Sequence, residues 1–169
     1  LLGGDHSTPL GFWKALAEKH GSFGILQIDA HCDLRESYEN FTYSHASVSY
    51  NGLKEIERLE KLVLLGIRDY SQSEWAFIQA NADRVVAFRD MELKRRQYDG
   101  ENWRNICDDI ISQLPQKVHI SFDIDGLDPK LCPHTERRCK ADSKPTRSTT
   151  SSTGWRKQTG KSSDSTWWK

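Results

Sequence analysis

Four short apolar runs, separated by stretches long enough for helices, constrain the fold of this chain more than any other feature. They read 23-FGILQID-29, 62-LVLLGIRD-69, 84-RVVAFRD-90 and 117-KVHISFDID-125. A nearly continuous apolar run of this length predicts a strand covered on both faces. The intervening segments carry helical signals. In 8-TPLGFWKALAEKHG-21, Leu10, Phe12, Trp13, Ala15 and Leu16 recur at helical spacing. Ser7 or Thr8 offers a cap, Pro9 sits in the first turn, and Gly21 provides a stop. Residues 34–52 read as a long loop leading into a helical segment at 53-LKEIERL-59. Further helices are predicted over 72–83 and 101–114. The second of these places Trp103, Ile106, Ile110, Ile111 and Leu114 on one stripe, ended by Pro115. Strands alternating with helices predict an α/β fold, a three-layer α/β/α arrangement around a mainly parallel sheet. In such sheets, ligands bind beyond the carboxyl ends of the strands.

Composition narrows the functional classes. At 169 residues, the length suits one domain, and the formal net charge is zero. No overall electrostatic case exists for a nucleic acid or membrane partner, and no apolar run approaches the roughly 18 residues of a membrane helix. The opening 1-LLGGDHS-7 lacks an initiator Met and the pattern of a signal peptide; it reads as a chain entered midway. Cys32, Cys107, Cys132 and Cys139 show no CxxC spacing, so reduced cytoplasmic thiols are the expectation. The neutral total conceals two unlike parts. Nine of the 24 Lys and Arg, and three of the 24 Asp and Glu, fall in residues 135–169, leaving the body near −6 and the tail near +6. The tail contains no Leu, Ile, Val or Phe, a composition that predicts disorder because little apolar surface is available to offset ordering entropy.

The chemistry concentrates at two strand ends. Asp29, His31 and Asp33 occupy alternate positions in 27-QIDAHCDL-34, directly after the first apolar run. Asp123 and Asp125 follow the last one, and residues two apart on a strand share a face. Four carboxylates gathered at one sheet edge repel one another and need a compensating cation. No Lys or Arg lies inside these motifs, although Arg35 is near. Metal ions are the simplest compensation. With His31, and His6 from 3-GGDHS-7, the set comprises four carboxylates and two imidazoles. Six ligands exceed one tetrahedral ion and suit two ions sharing carboxylates. An oxygen-rich set with some nitrogen favours Mn²⁺ over Ca²⁺, with Fe, Co or Zn as further options. Two ions about 3.5–4 Å apart would hold a shared hydroxide nucleophile. Each motif also has a structural reading. DxD alone marks many turns, and GGDHS alone is a tight turn in which Asp5 or Ser7 caps a helix. The weight comes from all three motifs meeting at one sheet edge.

Together, 3-GGDHS-7, 29-DAHCD-33 and 121-SFDIDGLDP-129 resemble the metal-binding signatures of the arginase/agmatinase ureohydrolase family. The resemblance covers residues 1–134. It implies a three-layer α/β/α fold, here incomplete, with two Mn²⁺ ions and hydrolysis of a guanidinium or formimidoyl carbon–nitrogen bond. By motif position it implies that His6, Asp29, Asp33 and Asp123 bind one ion. His31, Asp29, Asp123 and Asp125 bind the other, with Asp29 and Asp123 bridging. Asp33 also orients the nucleophile, and His45 in 43-YSHAS-47 shuttles protons to the leaving amine. Asp128 is expected to fix its loop, His20 to end a helix, His119 to sit in the core, and Cys32 to act as a spacer. The substrate is a small guanidino compound such as arginine, agmatine or a guanidino acid. Arg35 could meet its carboxylate and Glu36 a distal amine, or both could face solvent. Family members commonly form homo-oligomers. Another binuclear hydrolase, such as a phosphoesterase, and a non-catalytic metal-binding remnant are the competing readings.

The tail departs from that family, in which DxDxxDP is followed by a run like TGTPVxGGL. Read from the last base of the Thr135 codon, the codons possible for residues 135–144 permit G-T-P-V-Q-G-G-L-E. Those for 160-GKSSDSTWWK-169 permit K-I-I-G-F-D-L-V-E, with Val and Glu forced by Trp-Trp and Trp-Lys. Residues 135–169 therefore read as an out-of-frame translation. The rival is a genuine basic tail that binds an acidic partner in a salt-dependent way. The chain as written is expected to show weak or no activity, with partial metal binding.

Overall fold

The computed structural model describes residues 1–135. Four parallel strands form the sheet: β1 (Phe23–Ile28), β2 (Leu59–Ile67), β3 (Val85–Arg89) and β4 (Val118–Phe122). Their spatial order is β3-β2-β1-β4, which puts β1 in the interior and makes its neighbours the strands nearest and farthest along the chain. Helix α1 (Pro9–His20) precedes β1, and α2 (Val48–Glu55), α3 (Gln72–Ala80), α4 (Asp90–Tyr98) and α5 (Trp103–Ser112) lie between the strands. The tail, residues 136–169, lies outside the described residues.

The alternation of side chains along the strands creates two cores. On one face of the sheet, Ile25, Leu62, Leu64 and Ile67 pack with Trp13 of α1, Val48 and Leu53 of α2 and Ile78 of α3. On the other, Leu26, Val63 and Leu65 pack with Leu93 of α4 and Ile106 and Ile110 of α5. The three-layer α/β expectation therefore holds. Trp13 is fully buried, and truncation to Ala would cost about 3–5 kcal/mol.

Several local expectations are corrected. The buried stripe of α1 is Leu10, Trp13, Leu16 and Ala17; Phe12 and Ala15 lie on the exposed side. Phe12 meets the ring of His119 edge-on at 5.4 Å. Neither Ser7 nor Thr8 caps α1 through its side chain. Asp5 organises that turn instead, accepting from Ser7 N at 2.9 Å through its carboxylate and from the Thr8 hydroxyl at 2.7 Å through its carbonyl. Helix α2 starts at Val48, inside the expected loop, and β2 starts at Leu59. Helix α4 was not predicted. In DMELKRRQY only Leu93 is buried, so no apolar period marks it. An Asp90–Lys94 pair at 2.6 Å across one turn supports it.

Candidate metal centre

Backbone pairing brings the two carboxylate-bearing strand ends together. In the β1–β4 register, Ile28 lies opposite Phe122, so Asp29 and Asp123 leave the sheet side by side. Asp123 N donates to Ile28 O at 2.9 Å, and Asp29 N donates to Leu65 O of β2 at 3.1 Å. The turn after Asp123 passes so close that a Cβ at Gly126 would stand 2.9 Å from Asp29 N. Only glycine fits there. Asp125 then accepts from Ala30 N at 3.0 Å, and Asp123 accepts from Asp125 N at 3.0 Å.

Asp29 is the pivot. It is 1% exposed, and one carboxylate oxygen accepts from His31 N at 2.7 Å. The other accepts from Gln27 Nε2 at 2.9 Å, and Gln27 is itself held by the Ser49 hydroxyl. These donors fix the orientation of the carboxylate before any ion arrives. Around Asp29 stand two triads, His6/Asp29/Asp33 and Asp29/His31/Asp125, with ligand atoms within 4.8 Å of one another in each. His6 Nδ1 lies 2.8 Å from Asp33, 3.1 Å from Asp29 and 3.3 Å from Asp123. His31 Nδ1 lies 2.9 Å from Asp125 and 3.6 Å from Asp29. All six residues singled out from sequence as metal ligands therefore converge. Asp123 falls outside both compact triads while staying beside His6.

The charges explain what such a cluster demands. Burial penalises the imidazolium of His6, yet hydrogen bonds to Asp29 and Asp33 outweigh it and hold His6 at about 10. His31 is raised to about 11 by Asp125 first and Asp29 second. Burial pushes Asp33 up to about 7, and burial raises Asp123 as well. For Asp29, burial is outweighed by hydrogen bonds from His31 and His6, which hold it well below the carboxylate range. The carboxylates thus bind positive charge strongly. Adjacent donor atoms around one ion at about 2.1 Å stand about 3 Å apart, the separation His6 Nδ1 keeps from its three neighbours. This carboxylate–imidazole set fits two divalent cations sharing Asp29.

The site opens into a cavity of about 420 Å³, lined among others by Asp5, Arg35, Tyr38, His45, Asp69, Tyr70 and Glu74. His45 belongs to a 3-10 turn, His45–Ser47, and its Nδ1 lies 3.8 Å from Asp5. Arg35 is not free: its Nε is 3.9 Å from Glu74 and its guanidinium sits 5.0 Å over the Tyr38 ring. Glu36 is exposed. Asp128 holds its loop by accepting from Lys130 N at 2.9 Å, His20 ends α1, and Cys32 is buried among core residues.

Four contributors were missed. Arg68 donates to the carbonyls of Asp125 and Leu127 and so pins the last loop. Asp69 bridges to His31. Both leave β2 at the same sheet edge, which the carboxyl-end rule could have flagged. Gln27 is the one polar residue inside FGILQI, a signal in itself. Glu74 was readable as the cap of α3 with Ser71, but its acceptance from Leu34 N at 3.2 Å required the fold.

Comparison with known proteins agrees with this geometry. The chain is 35% identical over 132 residues to the N(1)-aminopropylagmatine ureohydrolase of Thermus thermophilus, covering 78% of this chain and 41% of that one. It is 28% identical over 140 residues to a guanidinobutyrase of Pseudomonas aeruginosa, covering 79% and 41%. Among solved structures, the proclavaminate amidino hydrolase of Streptomyces clavuligerus superposes with a TM-score of 0.65 at 27% identity, covering 81% of this chain and 43% of that one. The chain thus spans about two fifths of the length of these relatives. Residues 1–138 match the Arginase family as a whole, and the chain belongs to that family.

Proposed function

We propose that residues 1–134 carry the binuclear Mn²⁺ centre of a hydrolase that cleaves a guanidino carbon–nitrogen bond and releases urea. The observation that carries this is the sharing of Asp29 by two carboxylate–imidazole triads at the mouth of one cavity. His6, Asp29, Asp33 and Asp123 would hold one ion, and Asp29, His31, Asp123 and Asp125 the other. When bound, the ions supply Lewis-acid activation of water near neutral pH. The chain's own residues do the rest. Asp33, held by burial and by His6, accepts a proton from the attacking water and orients it. His45 passes a proton to the leaving amine.

Residues 135–169 are proposed to be an out-of-frame translation. Two features support this: the family match stops at residue 138, and the shifted frame permits the family's GTPVxGGL run directly after residue 134. On the same reading, the intact protein is a cytoplasmic homo-oligomer. The test has two parts. Calorimetric titration of the chain should show Mn²⁺ binding, and the frame-restored, full-length chain should bind two Mn²⁺ and release urea. Absence of Mn²⁺ binding overturns the metal assignment. Absence of urea from a restored chain that does bind Mn²⁺ favours a non-catalytic remnant.

A further inference from the structure

One residue of the metal cluster is held in a backbone conformation that its side chain resists. Asp33 has φ at 52°, in the left-handed region where a Cβ crowds the chain and few residues other than glycine settle. Such a residue persists only where its surroundings hold it. Two helices do so here. The Asp33 carbonyl accepts from Ser49 N at 3.1 Å and from Tyr50 N at 3.2 Å, in the first turn of α2, and Arg35 N donates to Ala46 O at 3.0 Å just before it. From α3, Glu74 Oε1 accepts from Leu34 N at 3.2 Å. Glu74 is 4% exposed and is the third residue of its helix. Its other oxygen, Oε2, completes the cap by accepting from Ser71 N and from the Ser71 hydroxyl, each at 2.8 Å, and Arg35 Nε stands 3.9 Å from it.

A helix cap needs only one of those two oxygens. The second is turned to the peptide group that follows Asp33. We propose that Glu74 is a positioning residue of the metal centre: through Leu34 N it holds the Asp33 backbone in its left-handed turn and so aims the Asp33 carboxylate at His6, joining that triad to the cap of α3. The Asp33 carboxylate stands 2.8 Å from His6 Nδ1, while Glu74 itself belongs to neither triad. This rests on the binuclear reading above and adds to it a residue that acts only through another.

The test sets E74D and E74Q against S71A in the chain. E74D keeps a carboxylate for the cap but is one methylene short of Leu34 N. E74Q offers one acceptor oxygen to two backbone amides. S71A weakens the cap and leaves Glu74 in place. Two quantities are read: Mn²⁺ affinity by calorimetry, and native-state amide exchange without metal. E74D should weaken Mn²⁺ about tenfold, whereas S71A should stay within about twofold of the unmodified chain. In metal-free E74D the amides of Leu34, Ser49 and Tyr50 should lose protection together, and in S71A they should keep it. E74Q is read in place of E74D if E74D does not unfold cooperatively. The proposal is overturned if S71A weakens Mn²⁺ as much as E74D does, if both Glu74 variants bind Mn²⁺ as tightly as the unmodified chain, or if Ser49 and Tyr50 keep their protection when Glu74 is changed. An unmodified chain that binds no Mn²⁺ would instead defeat the binuclear reading, and the exchange measurement would still decide what holds Asp33.

Discussion

His6 and His31 reach the same carboxylate from unlike surroundings. The His6 side chain is 12% exposed and that of His31 31%, so the first triad is the drier. Yet His6 is carried by an exposed turn near the start of the described residues, and its Nε2 is steadied by the Ser121 hydroxyl at 3.1 Å, from the far end of the fold. His31 stands on the loop leaving β1 and is tied to Asp69 by a backbone bridge. The drier imidazole is thus held from β4 and the wetter one from the loop leaving β2, the strands on opposite sides of β1.

Breaking the shared residue should have the largest effect. D29N removes a carboxylate shared by both triads, and Mn²⁺ stoichiometry in calorimetry of the frame-restored chain should fall from two to none. H6A and H31A should separate the triads, each leaving one ion. If either loses both, the triads are not independent sites. G126A tests the backbone that sets their spacing. Its new Cβ would lie 2.9 Å from Asp29 N, so the urea unfolding midpoint should drop by the equivalent of about 1–3 kcal/mol. Q27L leaves the ligands in place but frees the Asp29 carboxylate and orphans the Ser49 hydroxyl. Mn²⁺ affinity should weaken by about tenfold for both ions together.

The smallest effect concerns acid, and it separates the fold from the site. Burial first, and the N-terminal ammonium second, hold His119 down at about 4. Between about 4 and the ordinary 6.5, the folded chain therefore binds fewer protons here than the unfolded chain. This contribution to stability is complete above 6.5 and is lost as pH falls toward 4. In H119F, metal-free unfolding followed across that window should lose part of its pH dependence, and any acid sensitivity that remains belongs elsewhere.

The strands and the gathering of carboxylates and imidazoles were legible because each leaves a local mark. FGILQI has no alternative to burial, and DAHCD crowds charge where a buried strand ends. What escaped was what only tertiary pairing creates. Helix α4 is polar, and Leu93 is its one buried residue. Arg68 matters through carbonyls more than fifty residues away. The exposed placement of Phe12 depends on which face of α1 meets the sheet, and Trp13, one residue on, takes the core. Arg35 looked available from sequence; Glu74 and Tyr38, distant and near in the chain, claim it.

The strand order has a consequence for time. Ala30 and Asp125, joined by one hydrogen bond, are 95 residues apart in sequence, because β1 lies beside β4. Closing so long a loop is entropically costly and slow compared with forming the local β1–β2 pair. Asp29, His31 and Asp33 are in place when β1 forms, and Asp123 and Asp125 arrive only with β4. Ion uptake would therefore record the end of folding, and its rate would measure how long the first strand waits for the fourth.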